Sequence, residues 1–389
     1  MENKKNLENF NNLNEHILKV NNSENFIEKF SNTKNALFAC TISSIETTKT
    51  IPISGVNAKV IDYTPAADME LVTLGKSISL SHPPIDATNC PSPATITRAV
   101  VDLLNMPCIT IDAGSNIKPK IPHILAEKEP TGDINVGKGI KNSKLLVEKG
   151  KLLGKNLTCD KLILGESVPG GTTTAMGVLV GLGYDVKDKI SSGSVANPKD
   201  LKLSVIQNGL NIMYETLNED TCANNDKNKN ESTKHEKIKA SIYDVMDAVG
   251  DNMLAINAGI CISLVERNIP ILLAGGGQMA GVLAVIKEIS PETLERELIG
   301  ISTTEFVYND HNADLQGILN QICVIPTYIS KFDYENSSVD GLRAYCSGSV
   351  KEGVGAGAMA TYAYLNGLKP EDIRNYIEKY YYEWYKEIL

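Results

Sequence analysis

Short apolar strands that run into glycine-rich turns and then into apolar helices constrain the fold of this chain most strongly. Residues 162–164 (Leu-Ile-Leu) are followed by the turn Gly-Glu-Ser-Val-Pro-Gly-Gly-Thr-Thr-Thr at 165–174 and then by a helical stretch. Residues 270–274 run in the same way into Gly-Gly-Gly-Gln at 275–278. Helices that alternate with short apolar strands are typical of a parallel sheet. We therefore predict an α/β fold: a doubly wound, mainly parallel sheet flanked by helices, with a smaller helical subdomain formed by the two termini.

The composition divides the chain into three parts. Residues 1–35 are rich in Asn, Lys and Glu around spaced apolar residues, which predicts one or two short amphipathic helices on the main body. Residues 36–365 carry the α/β pattern. Within them, residues 218–234 are so poor in apolar side chains that we predict a disordered surface insertion. Residues 366–389 predict a C-terminal helix that packs its aromatic side chains on the body or on a dimer partner.

The α/β part begins with apolar runs that predict individual elements. We expect strands at residues 36–42, 60–63, 70–74, 108–113 and 161–164, and helices at 93–104, 144–153, 242–249 and 258–267. Ser92 stands where an N-cap residue is expected, directly before Pro93 at the first helical position.

Composition and charge exclude several classes of protein. With 389 residues, 42% hydrophobic and 22% charged, the chain can bury a large core. Its formal net charge of −9 argues against a nucleic-acid partner, and no apolar run is long enough for a membrane span. The polar N-terminus lacks the apolar region of a signal peptide, so we expect a cytoplasmic protein. The eight cysteines and five histidines show no metal-ligand spacing, and no metal site is predicted.

The first glycine turn has the character of an anion site. Glycines at a helix start let the backbone approach a ligand, and the helix dipole favours negative charge there, so phosphate is the expected guest. Thr172 and Thr173 add hydroxyl donors. Glu166 would repel phosphate, which indicates a neighbouring sugar-bearing part of the same ligand. Alternatively, the glycines only permit tight packing of a strand-to-helix turn.

A third turn, Glu-Gly-Val-Gly-Ala at 352–356, carries a carboxylate at its head. In an open parallel sheet such turns gather at the carboxyl ends of the strands, where ligands bind. Glu352 could then act on a ligand beside Glu166. The alternative is a helix-start carboxylate that is placed only by the helix dipole.

With these turns in this order, the chain resembles the nicotinate-nucleotide:dimethylbenzimidazole phosphoribosyltransferase family, most closely its archaeal branch. The resemblance covers roughly residues 35–365. Its landmarks, in family order, are Pro-Ser-Pro-Ala-Thr-Ile-Thr at 91–97, Asp-Ala-Gly at 112–114, Pro-Thr-Gly-Asp-Ile at 130–134, and the turns at 165–173, 275–278 and 352–356. Bacterial members usually carry Glu-Met-Gly-Ile-Gly-Asn-Thr-Thr where this chain has Glu-Ser-Val-Pro-Gly-Gly-Thr-Thr, so the identity of the acceptor base stays open.

The resemblance implies a reaction and two catalytic residues. A 5-phosphoribosyl group would move from nicotinate mononucleotide to a nitrogen of a benzimidazole-type base, which releases nicotinate and gives an α-riboside 5'-phosphate for cobamide synthesis. The pyridinium leaving group needs neither metal nor other cofactor. Glu352 would be the general base that takes a proton from the acceptor, and Glu166 would face the ribose or the developing oxocarbenium charge.

The resemblance also implies the binding residues. The first two turns would bind the phosphate and the ribose, through Gly170, Gly171, Thr172, Thr173, Gly275, Gly276 and Gln278. Ser92 and Thr95 are candidates for the base pocket, although N-capping alone explains Ser92. A homodimer is expected on the same ground.

Two other functions are compatible with the sequence. One is a nucleotide-dependent oxidoreductase on a Rossmann-like sheet, although the Gly-x-Gly-x-x-Gly fingerprint is absent. The other is a non-catalytic nucleotide-binding paralogue, which the presence of both Glu166 and Glu352 disfavours.

Overall fold

A single eight-stranded sheet organises the protein. The computed structural model describes residues 15–21, 24–191, 197–225 and 239–388. Its strands, in chain order, are β1 (Ile17–Val20), β2 (Ala36–Ile42), β3 (Cys108–Ala113), β4 (His123–Glu127), β5 (Lys161–Ser167), β6 (Ile271–Ala274), β7 (Ile299–Thr304) and β8 (Thr327–Ser330). They lie in the order β1-β8-β7-β6-β5-β2-β3-β4, and all neighbours are parallel except β1 and β8.

The order of the strands reverses at β2 and β5. From β2 the chain winds one way to β3 and β4, and from β5 it winds the other way to β6, β7 and β8. In such sheets the carboxyl ends of the two strands at the reversal leave a crevice between their following loops. The fold therefore places a potential ligand site where β2 and β5 end.

Helices cover both faces of the sheet. One face buries Ala39, Leu164 and Leu273, and the other buries Phe38, Ile163 and Leu272, because successive side chains of a strand point to opposite sides. The first face carries α4 (Ser143–Asn156), α5 (Gly171–Gly181), α6 (Lys199–Asn225), α7 (Ile242–Val249), α8 (Asn252–Glu266), α9 (Gly277–Ile289), α10 (Pro291–Glu295), α11 (Glu305–Tyr308) and α12 (Leu315–Ile322). The second carries α1 (Glu24–Ser31), α2 (Thr64–Leu74), α3 (Ala94–Leu103), α13 (Asp340–Cys346), α14 (Ala356–Leu365) and α15 (Pro370–Trp384). The predicted doubly wound α/β fold is confirmed.

Two of the predicted strands are wrong. Residues 60–63 form a turn, in which Val60 O accepts hydrogen bonds from the N–H groups of Tyr63 and Thr64. Residues 70–74 belong to α2, which has Pro65 in its first turn and ends at Gly75 with φ 76°. Because α2 is buried on nearly all sides, its sequence lacks the polar face that marks a helix, and a short apolar run is equally compatible with a strand.

The N-terminal segment adds a strand as well as a helix. The expected amphipathic helix is α1, but Ile17–Val20 pairs antiparallel with β8. The open edge of β8 offers unpaired backbone groups, and pairing with them is a tertiary event that the local pattern does not encode.

The C-terminal helix α15 packs on the body through its aromatic side chains. Trp384 Nε1 donates to Gly75 O over 2.9 Å, and Tyr381 OH donates to Asn89 O over 2.8 Å. Tyr382 in the same helix is 62% exposed. A dimer contact through this helix stays a prediction.

The predicted insertion falls partly on described residues. Helix α6 continues through residues 218–225, and residues 226–234 lie outside the described part of the chain. Disorder of the insertion therefore stays a prediction, with its first residues helical.

Candidate active site

A cavity of about 670 Å³ opens at the carboxyl ends of the strands, beside the reversal between β2 and β5. Residues within 54–60, 84–93, 166–172 and 350–354 line it, together with Thr64, Asp68 and Gln278. A volume of this size suits a small organic ligand such as a nucleotide. Six of the predicted site residues line the cavity: Glu166, Gly170, Thr172, Gln278, Glu352 and Ser92.

Glu166 reaches the cavity from the end of β5. The strand runs to Ser167, so Glu166 lies in the sheet and not in the following loop. Its Oε2 accepts hydrogen bonds from Val168 N over 2.9 Å and from Gln278 Nε2 over 2.8 Å. Its Oε1 has no hydrogen-bond donor among the described residues, and Glu166 lines the cavity. One oxygen therefore fixes the carboxyl group while the other is available to a ligand.

The environment of Glu166 favours its protonated form. Burial raises the pKa of Glu166 to about 8, against the lowering effect of the Val168 N–H. The nearby carboxylates of Asp251 and Glu352 add to the rise. A buried carboxyl group that exchanges a proton near neutral pH is typical of a catalytic site.

Glu352 is held by four hydrogen-bond donors. Its Oε2 accepts from Thr303 Oγ1 over 3.0 Å and from Thr304 N over 2.9 Å, both at the end of β7. Its Oε1 accepts from Gly353 N and Gly357 N, each over 3.1 Å, at the start of α14. Burial nevertheless raises the pKa of Glu352, against these four bonds. The position of this half-buried carboxyl group is thus fixed by β7 and α14 together.

Two glycines allow the end of β5, which bears Glu166, to approach the turn that bears Glu352. A Cβ added at Gly165 would lie 3.1 Å from Gly355 Cα, and Gly355 itself has φ 81°. A Cβ at Gly355 would lie 2.6 Å from Phe38 Cε2. Because neither position has room for a side chain, the end of β5 and the start of α14 approach closely enough for both carboxyl groups to face one cavity.

The start of α5 is a tight turn whose donors are partly used. Gly170 has φ 90°, and the N–H groups of Gly171 and Thr173 already donate to Val168 O and Gly170 O over 2.8 Å each. Thr172 lines the cavity, whereas the buried Thr173 donates to Ile53 O over 3.4 Å. Of the predicted phosphate residues, Gly170 and Thr172 therefore face the cavity, and Gly171 and Thr173 lie behind it.

The predicted residues of the second glycine turn and of the base pocket also include some that line the cavity and some that do not. Gln278 at the start of α9 reaches the cavity and binds Glu166, while Gly275 and Gly276 form the turn behind it and do not line the cavity. Ser92 lines the cavity, and its Oγ accepts from Ala94 N over 3.2 Å, but Pro93 and not Ser92 is the N-cap residue of α3, so the predicted N-cap is wrong by one residue. Thr95 is buried inside α3, where its hydroxyl donates to Ser92 O, and it does not line the cavity.

Asp68 is a cavity residue that the sequence did not reveal. It lies on α2, and its two oxygens accept from Ser92 Oγ over 2.6 Å and from Ser167 Oγ over 2.7 Å. Burial raises the pKa of Asp68 to about 7. The sequence predicts a strand at residues 70–74, shortly after Asp68. That prediction does not indicate that Asp68 lines the cavity.

The sequence patterns also did not identify two buried lysines, Lys202 and Lys351, of which Lys351 directly precedes Glu352. Lys351 forms an ion pair of 2.7 Å with Asp310. Lys202, on α6, donates to Asn197 Oδ1 over 3.1 Å, and no carboxylate of the described residues lies within ion-pair distance of it. Burial lowers the pKa of Lys202 to about 8, and the charges of Lys351 and Lys199 add to that effect. Neither Lys202 nor Lys351 is among the residues that line the cavity.

The described residues contain no group of three His, Cys, Asp or Glu side chains arranged to hold a metal ion. None of the helices in the described ranges combines the length and apolar composition that a bilayer span requires.

Similar proteins are found among archaea. A UPF0284 protein of Methanocaldococcus jannaschii is 54% identical over 366 residues, which cover 94% of this chain and 98% of that protein. UPF0284 proteins of Methanothermobacter thermautotrophicus and Sulfolobus acidocaldarius are 35% and 39% identical, and cover 93% and 85% of this chain. Their coverage of the relatives' own lengths is 96% and 89%.

Solved structures share the fold at low sequence identity. CobT from Thermus thermophilus matches with a TM-score of 0.57 and 12% identity, over 89% of this chain and 84% of that chain. A nicotinate-nucleotide-dimethylbenzimidazole phosphoribosyltransferase structure from the same organism matches with a TM-score of 0.56 and 12% identity, over 88% and 83%. The likeness confirms the fold that the sequence resemblance implied. No family model matches the chain. On the identity and coverage of its archaeal relatives, the chain belongs to the UPF0284 protein family.

Proposed function

We propose that the protein is a phosphoribosyltransferase that moves 5-phosphoribose from nicotinate mononucleotide to a benzimidazole-type base. One observation carries the proposal: Glu166, from the end of β5, and Glu352, from the turn before α14, line one nucleotide-sized cavity at the reversal of a CobT-like sheet. Fold likeness alone does not imply activity, so the argument rests on the chemistry of these side chains.

The bonds that form and break are those of a substitution at C1' of the ribose. The C1'–N bond of the donor breaks, its electron pair returns to the pyridinium nitrogen, and neutral-ring nicotinate leaves. A ring nitrogen of the acceptor supplies the electron pair of the new C1'–N bond. The acceptor then carries a positive charge, and its other ring nitrogen loses a proton to a carboxylate.

Glu352 is the proposed acceptor of that proton. Its four donors fix the carboxylate, and the Thr303 hydroxyl can reverse its role and accept a hydrogen bond when Oε2 becomes protonated. Protonation then disturbs the bond from Thr304 N and leaves the two at Oε1 in place. The burial that raises the pKa of Glu352 also makes it a stronger base.

Glu166 is proposed to face the ribose. Its Oε1 is without a donor from the described residues, so the carboxylate that forms when Glu166 loses its proton, with a pKa of about 8, can stabilise the positive charge that develops at C1' as the old bond breaks. Gln278 and Val168 N hold the other oxygen and thereby set its direction.

The phosphate of the donor has two candidate positions. One is the start of α5, where Gly170 and Thr172 line the cavity and the helix dipole favours an anion. The other is the buried pair of Lys202 and Lys351, which holds more positive than negative charge. Neither lysine lines the cavity, and the N–H groups of Gly171 and Thr173 at the start of α5 are already used, so binding measurements on variants have to distinguish the two positions.

A mass-spectrometric assay tests the proposed function. The purified protein is incubated with nicotinate mononucleotide and a mixture of benzimidazoles, adenine and phenols, and we expect a new riboside 5'-phosphate together with free nicotinate. Nicotinate mononucleotide consumed by hydrolysis alone, or no turnover with any base, would refute the transfer activity.

A non-catalytic nucleotide-binding protein is the second candidate, because four donors on Glu352 are also what a purely structural carboxylate would have. Calorimetric binding of the donor with no product in the same assay would favour it. A homodimer stays an expectation that light scattering on the purified protein can test.

A further inference from the structure

Asp68 occupies a position in the cavity that the reaction above does not use. It lies on α2, is only 2% exposed, and lines the cavity together with its hydrogen-bond partners Ser92 and Ser167. Ser167 directly follows Glu166 at the end of β5. Asp68 is therefore part of the same site, and the inference below rests on the proposed function.

The hydrogen bonds of Asp68 leave part of its capacity unused. Oδ1 accepts from Ser92 Oγ and Oδ2 accepts from Ser167 Oγ, and no third donor among the described residues reaches it. An ionised carboxyl group offers about four acceptor positions, so about two remain. The two serines fix the plane of the carboxyl group and leave it able to accept from a ligand.

Glu70, two residues further along α2, shows the contrast. Its oxygens accept from Ile78 N, Ser79 N, Ser79 Oγ and Lys120 N over 2.6 to 2.8 Å, and it does not line the cavity. Glu70 is thus a fully satisfied structural carboxylate. Two buried acids on one helix differ in that only Asp68 keeps acceptor capacity toward a ligand.

Apolar groups flank the corner that Asp68 and Ser92 form. Pro93 follows Ser92 in the chain, and Ser92 N donates to Pro84 O over 2.9 Å, so both prolines line the cavity next to that corner. Ile85 follows Pro84 and lines the cavity as well. An apolar wall with one polar corner suits a flat aromatic ring that carries a polar substituent at one edge.

We propose that Asp68 selects the acceptor base by accepting a hydrogen bond from an O–H or N–H group on the ring edge of a fused aromatic heterocycle. The preferred acceptor is then a hydroxy- or amino-substituted benzimidazole, and a dialkylated benzimidazole is disfavoured. A methyl group in that corner would bury the remaining acceptor positions of Asp68, those not used by Ser92 and Ser167, without a donor. Sites built around a hydrogen bond reject analogues that lack the group much more strongly than apolar pockets reject a change in size.

The experiment compares matched bases on the full-length protein. Rates of ribosylation are measured with 5-hydroxybenzimidazole, 5-methoxybenzimidazole and 5,6-dimethylbenzimidazole, of which only the first carries a donor on the substituted edge. We expect kcat/KM for the hydroxy compound to exceed that for the methoxy compound by about tenfold or more. In Asp68→Ala the ratio should fall to about one, and in Asp68→Asn, which retains a carbonyl acceptor, it should fall only in part.

The control is Glu70→Gln, which changes a buried carboxylate of the same helix and should leave the ratio of the two rates unchanged even if Tm falls. An equal rate for both bases with the wild type, or an unchanged ratio in Asp68→Ala, would overturn the role of Asp68. If no base is ribosylated, the proposed transferase function fails. Calorimetric affinities of the hydroxy and methoxy bases for wild type and Asp68→Ala then decide the role of Asp68 separately.

Discussion

The main-chain N–H of Val354 donates to the carbonyl oxygen of Glu166 over 2.8 Å. This bond joins the end of β5 to the turn before α14. The segments that carry Glu166 and Glu352 are therefore connected by a backbone hydrogen bond and also line the same cavity. The relative positions of the two carboxyl groups thus depend on main-chain geometry, which side-chain substitutions elsewhere leave largely intact.

Replacement of the proposed general base should abolish transfer and preserve donor binding. In Glu352→Gln we expect kcat to fall by about two to four orders of magnitude, because the amide cannot take the proton of the acceptor. The dissociation constant for nicotinate mononucleotide, measured by calorimetry, should change little. The amide also faces backbone donors, so a loss of about 1–3 kcal/mol in the free energy of unfolding is expected.

Thr303→Val separates the role of Glu352 in the reaction from its role in packing. This variant keeps the carboxylate and removes a donor that lowers its pKa, so the acidic limb of the kcat/KM profile should move to higher pH. Wild-type turnover in Glu352→Gln, or a profile that does not move in Thr303→Val, would exclude Glu352 as the base.

Glu166 should make stability depend on pH in a defined direction. Its pKa is about 8 in the folded protein, against about 4.3 in the unfolded chain. The folded state therefore binds the proton more tightly, and the stabilisation is present below pH 4 and is lost as the pH rises from about 4 to about 8. Glu166→Gln, which keeps a carbonyl oxygen for Val168 N and Gln278, cannot lose that proton.

The measurement is the difference in Tm between Glu166→Gln and wild type across that range. Between pH 5 and pH 8, we expect the Tm of Glu166→Gln to rise by several degrees relative to that of the wild type. This corresponds to a change on the order of a few kcal/mol at most in the free energy of unfolding. A difference that is constant with pH would show that the pKa of Glu166 is not raised.

Gly355 should not tolerate a side chain. Gly355→Ala places a methyl group 2.6 Å from Phe38 at φ 81°, so we expect a loss of about 2–5 kcal/mol in the free energy of unfolding. Gly367→Ala is a matched control, since Gly367 has φ 87° and nothing within 4 Å of an added Cβ. It should cost only about 1–2 kcal/mol. Chemical denaturation measures both, and equal losses would contradict the close contact between Gly355 and Phe38.

The position of the phosphate can be decided with three variants. If the lysine pair holds the phosphate, Lys202→Met will weaken binding of nicotinate mononucleotide by about tenfold or more, because it removes a charge-assisted contact. Thr172→Val should weaken it by about threefold to tenfold, and Thr173→Val should lower Tm without changing affinity, since its hydroxyl is engaged with Ile53.

Nicotinate riboside, which lacks the phosphate, serves as the control ligand. Its affinity should be the same in wild type, Lys202→Met and Thr172→Val. Unchanged affinity of the mononucleotide in Lys202→Met would assign the phosphate to the start of α5 alone.

The sequence was most informative where local chemistry determines the structure. Glycines that adopt positive φ and apolar runs of strand length fixed the turns after β5 and β6, because these requirements hold within a few residues. These turns, together with the third glycine turn at 352–356, carried the resemblance that singled out Glu166 and Glu352. The prediction of a strand within α2 is wrong because a helix buried on nearly all sides lacks an amphipathic period.

The sequence alone thus determined the α/β class and the glycine-rich segments in or beside which the two glutamates lie, since these follow from backbone preferences of neighbouring residues. Only the tertiary structure decided that Asp68 meets Ser92 and Ser167, that β7 supplies two of the donors to Glu352, and that Lys202 lies near Lys351. These contacts join residues far apart in the chain, and their burial and charge depend on how the elements pack.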